Sequence, residues 1–158
     1  MSINFKNLVL GVYWMVVMQV NSEAAMGYLG EAVARKLAGG ETIELIGDVG
    51  AGKTTLVRGI AKGLGVEESV QSPTFTISRE YSRPDGSVLS HYDFYRLDGA
   101  GIMADEIREA SSDPRTIVLV EWADSVKDVL PEHRIVIRIS QHERDPNGRI
   151  VDIEGLEL

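Results

Sequence analysis

The stretch Gly47-Asp48-Val49-Gly50-Ala51-Gly52-Lys53-Thr54 has the spacing G-x-x-x-x-G-K-[ST]. Its residue types point to one chemistry, the holding of phosphate. Glycines at these places let the backbone curl with its N–H groups pointing inward, in dihedrals that a side chain forbids. A helix starting where such a loop ends adds unpaired N–H groups and the positive end of its dipole. In this cradle Lys53 would reach the β- and γ-phosphates of a nucleotide, and Thr54 would set its hydroxyl on Mg²⁺. The alternative is a glycine-rich strand-to-helix turn with an exposed lysine. The flanks favour the cradle: the short apolar run Ile43–Ile46 precedes it, and Leu56, Ile60 and Leu64 follow at helical spacing.

Mg²⁺ keeps several of its waters in such a site and needs a carboxylate besides Thr54. Two acids stand where a buried strand would end. Glu121 follows Ile117-Val118-Leu119-Val120, and Asp93 sits within His91-Tyr92-Asp93-Phe94-Tyr95. For either, the alternative is a solvated strand end or an ion pair with a nearby arginine such as Arg96. Which of the two meets the metal directly is open at this level. Guanine-reading features are missing. No N-K-x-D occurs around any of the asparagines Asn4, Asn7, Asn21 and Asn147, and Asp98-Gly99-Ala100-Gly101 matches D-x-x-G without other support. ATP is therefore favoured over GTP.

The elements that must position these groups follow from periodicity. Ala25, Leu29, Val33 and Leu37 step by four, with Asn21 or Ser22 as a cap and Gly39-Gly40 as a stop, which predicts a helix over 22–37. Thr42–Ile46 reads as a buried strand and Thr54–Leu64 as a helix. Phe75–Tyr81 and Val88–Tyr95 read as strands joined at Pro84-Asp85-Gly86. Met103–Ala110 is a short helix and Thr116–Val120 a central strand. Asp124–Leu130 makes one or two helical turns. Arg134–Ser140 and Arg149–Ile153 form a hairpin turning at Asp145-Pro146-Asn147-Gly148. Together these predict a three-layer α/β domain resembling P-loop NTPases, with a mixed, mainly parallel central sheet.

Composition sets further bounds. With 158 residues the chain is one domain's worth. It has no cysteine, which removes disulfides, cysteine nucleophiles and thiolate metal sites. Sixteen basic against 24 acidic residues, a formal charge of −8, make it a poor binder of nucleic acid by itself. The apolar run Leu8–Met18 is too short to span a membrane. A signal peptide, a buried strand and an upstream extension all compete for it. Export is disfavoured, because the site needs ATP and Mg²⁺ inside the cell, and of the other two the extension is preferred. The expected division is thus a dispensable extension over 1–17 and a single ATPase domain over 18–158, in the cytoplasm.

Taken together, the segments resemble the TsaE (YjeE) family of P-loop ATPases of bacterial tRNA threonylcarbamoyladenosine synthesis. Gly47–Thr55 reads GDVGAGKTT, similar to the family's GDLGAGKTT. Ser72-Pro73-Thr74-Phe75 resembles its S-P-T-[FY] switch, His91–Leu97 (HYDFYRL) its H-[FY]-D-x-Y-R-[LI] block, and Val120-Glu121-Trp122 its V-E-W. The resemblance runs from about Ser22 onward, and nothing is carried over onto 140–158. It implies that Asp93 and Glu121 serve Mg²⁺ and the attacking water, that Thr74 faces the γ-phosphate, and that Thr55 and Trp122 lie by the nucleotide. Tyr95 and Arg96 are read as structural. It also implies ATP and Mg²⁺ as cofactors and weak, partner-stimulated hydrolysis. The implied partners are TsaD and TsaB, synthase subunits acting at adenosine 37 of tRNA, so that tRNA is met only through the complex. A small-molecule kinase would need an acceptor pocket and an arginine-bearing lid for which the chain leaves little room. A non-hydrolysing nucleotide sensor is the other rival, and turnover with partners would exclude it.

Lys53→Ala is expected to weaken nucleotide binding about 10–150-fold, the range for losing a hydrogen bond to a charged group. Isothermal titration with ATP measures this, and wild-type affinity would overturn the loop assignment.

Overall fold

A computed structural model describes residues 6–10, 13–95, 97, 101 and 103–158. Arg96 and the span Asp98–Ala100, both weighed above, lie outside the described residues.

Eight strands among the described residues form one sheet: β1 (Lys6–Leu10), β2 (Tyr13–Val20), β3 (Thr42–Ile46), β4 (Ser78–Ser82), β5 (Val88–Asp93), β6 (Thr116–Glu121), β7 (Ile135–His142) and β8 (Asp145–Glu154). Their order is β1-β2-β8-β7-β3-β6-β5-β4. The central four, β7-β3-β6-β5, run parallel to one another. Antiparallel pairs close both sides, β5 with β4 on one and β7-β8-β2-β1 on the other. The mixed sheet with a parallel centre agrees with the reading of the sequence. Parallel strands need crossovers, and helices α1 (Glu23–Ala34), α2 (Lys53–Gly63) and α3 (Met103–Ser112) are the described helices among the connections.

Strand β6 shows the layering, since all six of its residues are buried. Ile117 and Leu119 join the cluster of Leu56, Val57 and Ile60 of α2. Val118 and Val120, pointing the other way, join Ile107 of α3 with Val126 and Leu130. A continuous apolar run is what a strand covered on both faces requires. Helices α1 and α2 share the first face and touch through glycines: a Cβ on Gly59 would collide with the Gly27 carbonyl oxygen. Ser22 caps α1 by accepting the Ala25 N–H at 3.1 Å.

Several expected boundaries shift for local reasons. The strand expected from Phe75 starts only at Ser78. The N–H groups of Thr76 and Ile77 both donate to the Pro73 carbonyl, at 2.8 and 2.6 Å, which winds 73–77 into a turn and leaves Phe75 84% exposed. Strand β5 stops at Asp93 rather than Tyr95, because Asp93 Oδ1 accepts the Tyr95 N–H at 3.0 Å and bends the chain. The stretch expected as one or two helical turns forms two 3₁₀ turns, Ala123–Ser125 and Lys127–Val129. The hairpin turn expected at 145–148 lies inside β8 instead. There the register jumps from Gln141↔Arg149 to His142↔Asp145, so Pro146-Asn147-Gly148 bulge out. Pro146 has no N–H to give, and Asn147 donates its own to Asp145 Oδ1 at 3.0 Å.

Strand β2 runs unbroken through residue 17, the expected division. It pairs with β8 from Met15 to Val20 and buries Val16, Met18 and Val20. We propose that residues 1–17 are dispensable for nucleotide binding but contribute stability. A chain starting at Met18 loses the burial of Val16, about 1.5–3 kcal/mol for a full valine. At roughly 2–4 °C per kcal/mol in a chain of this size, thermal unfolding should come about 3–12 °C earlier with ATP affinity kept. Loss of ATP binding in the folded, shortened chain would refute it.

Candidate active site

The site gathers where β3, β5 and β6 end. Their parallel register sets Leu45 opposite Glu121 and Glu121 opposite Asp93. Side chains alternate along a strand, so His91 and Asp93 share one face of β5, and Leu119 and Glu121 share the same face of β6. That face carries the α2 core. Tyr92 and Phe94 turn to the α3 side. There burial, with the Glu106 carboxylate adding to it, pushes the Tyr92 phenol above its usual range.

The loop 47–52 leaves β3 and enters α2. Gly50 and Gly52 have φ of 78° and 112°, the left-handed region that side chains resist, and Gly52 is the residue that starts the helix. Asp48 and Val49 on the crest are exposed. Lys53 is only 6% exposed. Its Nζ donates to the carbonyl oxygens of Gly47 at 2.7 Å and Asp48 at 3.0 Å, and lies 4.7 Å from the Trp122 ring centre. Glu121 Oε2 is 3.8 Å from the same Nζ, while Oε1 accepts from His91 Nε2 at 3.0 Å. The exposed-lysine alternative therefore does not hold.

Asp93, 4% exposed, is bound on both oxygens. Oδ2 accepts from Thr74 Oγ1 at 2.5 Å and from Ser72 Oγ at 3.3 Å, and Oδ1 takes the Tyr95 N–H. Thr74 thus meets Asp93 directly, which ties the 72–75 segment to the end of β5. Trp122 packs against Tyr95 at 4.9 Å between ring centres as well as over Lys53. Among the described residues two non-glycines have positive φ, Ile77 at 67° and Trp122 at 56°. One follows the 72–75 segment and the other follows Glu121. Each such backbone costs about 1–3 kcal/mol and persists only where its surroundings hold it.

Thr54, half-buried, follows Lys53 in the first turn of α2. Thr55 Oγ1 donates to Glu23 Oε1 at 3.4 Å, at the foot of α1. Around that contact lies a cleft lined by Ser22, Met26, Gly50, Ala51, Asn147 and Arg149. Arg149 Nε donates to the Ala51 carbonyl at 3.1 Å and Nη1 to Pro146 and Gly148, so the β8 bulge braces the loop. Sequence reasoning passed over this cleft, since nothing in the order of residues ties Arg149 to Ala51. The contact of His91 with Glu121 is likewise absent from the reading of the sequence, although the two-residue offset of His91 from Asp93 is a usable signal.

Among the described residues no group of three or more His, Cys, Asp or Glu is gathered to cage a metal. Mg²⁺ does not need one, since it binds through one or two carboxylates, its own waters and phosphate oxygens. Asp93, Glu121 and Thr54 are an oxygen-only donor set of the kind it takes. The glycine-built loop with its buried lysine likewise fits a phosphate chain.

A strand, a glycine-built loop carrying a buried lysine, and a helix, with two carboxylates at adjacent strand ends, define a three-layer α/β domain with a P-loop NTPase-like fold. Comparison with known proteins gives the family. Residues 20–150 match the family model of threonylcarbamoyl adenosine biosynthesis protein TsaE, and the chain belongs to that family. It is 39% identical to the tRNA threonylcarbamoyladenosine biosynthesis protein TsaE of Streptomyces coelicolor over 83% of this chain and 90% of that one. To the protein of the same description in Bacillus subtilis it is 41% identical, over 65% of this chain and 63% of the relative. The crystal structure of Bacillus subtilis YdiB superposes with a TM-score of 0.74 at 28% identity, over 94% of this chain and 90% of that one.

Asp93→Ala removes the acceptor of the Thr74 hydroxyl and of the Tyr95 N–H, while the Ser72 and Thr74 hydroxyls keep each other at 2.7 Å. Hydrogen bonds to a charged group contribute about 1.5–3 kcal/mol, and water can partly replace the carboxylate at these part-buried donors, so denaturant unfolding should show a loss of about 1–3 kcal/mol. Thr74→Val removes one of these bonds and should lose less. Equal stability of Asp93→Ala and wild type would show that Asp93 does not hold the 72–75 segment.

Proposed function

We propose that this chain is the ATPase subunit of tRNA N6-threonylcarbamoyladenosine synthesis, binding and hydrolysing ATP with Mg²⁺ so that its synthase partners can act repeatedly. The observation that carries the reading is the buried Glu121 carboxylate at the end of β6, 3.8 Å from the loop lysine. The relatives' descriptions supply the pathway.

In this reading the backbone N–H groups of 47–54 and the Lys53 ammonium bind the phosphates. They hold the negative charge that grows as the bond between the γ-phosphorus and its bridging oxygen breaks. Glu121 orients the attacking water and takes its proton. Bound Mg²⁺, held by Thr54 with Asp93 or Glu121, would neutralise phosphate charge. Trp122 and Thr55 line the nucleotide. Lys53 is fixed by loop carbonyls and the Trp122 face, and Asp93 by the 72–75 segment, so reaching the reactive arrangement requires rearrangement. That suits a weak ATPase that partners stimulate. The partners are TsaD and TsaB, and tRNA is engaged through them, in keeping with a net charge of −8. The setting is the cytoplasm.

Glu121→Gln is expected to bind ATP nearly normally and to hydrolyse it about 10²–10⁴-fold more slowly, the range for a positioned general base. It should also stall multiple-turnover tRNA modification while staying on its partners in ATP. Normal hydrolysis would overturn the role of Glu121. Stalled hydrolysis with continued modification would overturn the coupling.

A further inference from the structure

His91 is fully buried, at 0% exposure, and one polar contact accounts for it. Nε2 lies 3.0 Å from Glu121 Oε1, and Nδ1 has no hydrogen-bond partner. An ionised carboxylate only accepts, so His91 Nε2 donates. The strand register makes the contact diagonal, because His91 sits opposite Leu119 and Glu121 opposite Asp93. Each oxygen of Glu121 thus has a separate neighbour, the imidazole on Oε1 and the Lys53 ammonium on Oε2.

The opposing pull is what gives the imidazole a task. A carboxylate this deeply buried is drawn toward the only cation beside it among the described residues, and Lys53 is the group needed for phosphate. A contact of 3.8 Å is long for a charge-assisted bond, which runs at about 2.7–2.9 Å. The His91 bond holds the carboxylate back and fixes its rotation.

We propose that His91 is a positioning residue for Glu121: its Nε2–H anchors Oε1, so that the carboxylate stays off Lys53 and keeps the direction in which it meets water. The inference rests on the reading of Glu121 as the group that acts on the attacking water. In this role His91 acts through Glu121 and not on the nucleotide or the water directly.

Two amide replacements separate anchoring from packing. His91→Gln can place an amide N–H where Nε2 stands, whereas the shorter His91→Asn places it nearer Nδ1, where nothing receives it. With the full chain and Mg-ATP, His91→Asn should lose about 10–100-fold in kcat, the usual cost of removing an orienting partner. KM and ATP affinity should move by about threefold or less, as for an interaction used in the transition state. His91→Gln should recover most of the rate. Combined with Glu121→Gln, His91→Asn should slow turnover no further. Equal rates for the folded Asn and Gln variants would overturn the proposal, as would additive losses in the double variant. Wild-type turnover by Glu121→Gln alone would instead overturn the underlying reading of Glu121, so the two failures are distinct.

Discussion

Two opposite charges buried within 4 Å of each other set the terms for the rest of the molecule. Lys53 and Glu121 are 6% and 3% exposed. Taking ions out of water costs several kcal/mol each, and the fold must return that with specific partners. It supplies them from separate places. The loop offers the carbonyls of Gly47 and Asp48, the β6 end offers the Trp122 ring, and β5 offers His91. Loop, β5 and β6 have to end at one level for all of these to meet, and the parallel centre of the sheet brings their ends together. The left-handed turn at Trp122 is the local cost, since the chain must leave β6 abruptly to lay the indole over the lysine.

Much of this was legible in the order of residues because it is local. The phosphate loop announces itself by glycine spacing. The strand before it and the helix after it fell within a residue or two of the expected bounds, since their apolar periods are simple. The acids Asp93 and Glu121 were visible as polar residues closing apolar runs, and the structure brings them to adjacent positions. The four-segment resemblance led to the family that the comparisons established.

What the sequence hid depends on pairing between distant segments. The run Leu8–Met18 looked detachable, because nothing in it names β8 as the partner of β2. The signals at 145–148 were rightly turn-forming, but they serve a bulge, since β7 had already turned at Glu143-Arg144. The strand pattern from Phe75 failed for a local reason instead, because the Pro73 carbonyl captured two N–H groups and wound 73–77 into a turn. Arg149 braces Ala51 across 98 positions, a distance no periodicity spans.

The alternation along β5 and β6 has a consequence for what lengths of chain the family can tolerate. Odd positions, His91, Asp93, Leu119 and Glu121, look toward the phosphate loop; even ones, Tyr92, Phe94, Val118 and Val120, fill the opposite core. One residue added or removed within either strand exchanges the two sets at a stroke. Aromatic rings would then crowd the loop while carboxylates entered an oily layer. Substitutions here can be graded and compensated one at a time, but an insertion has no intermediate step. These two strands therefore act as a reading frame of their own, and length change in the molecule has to be absorbed by the connections between strands.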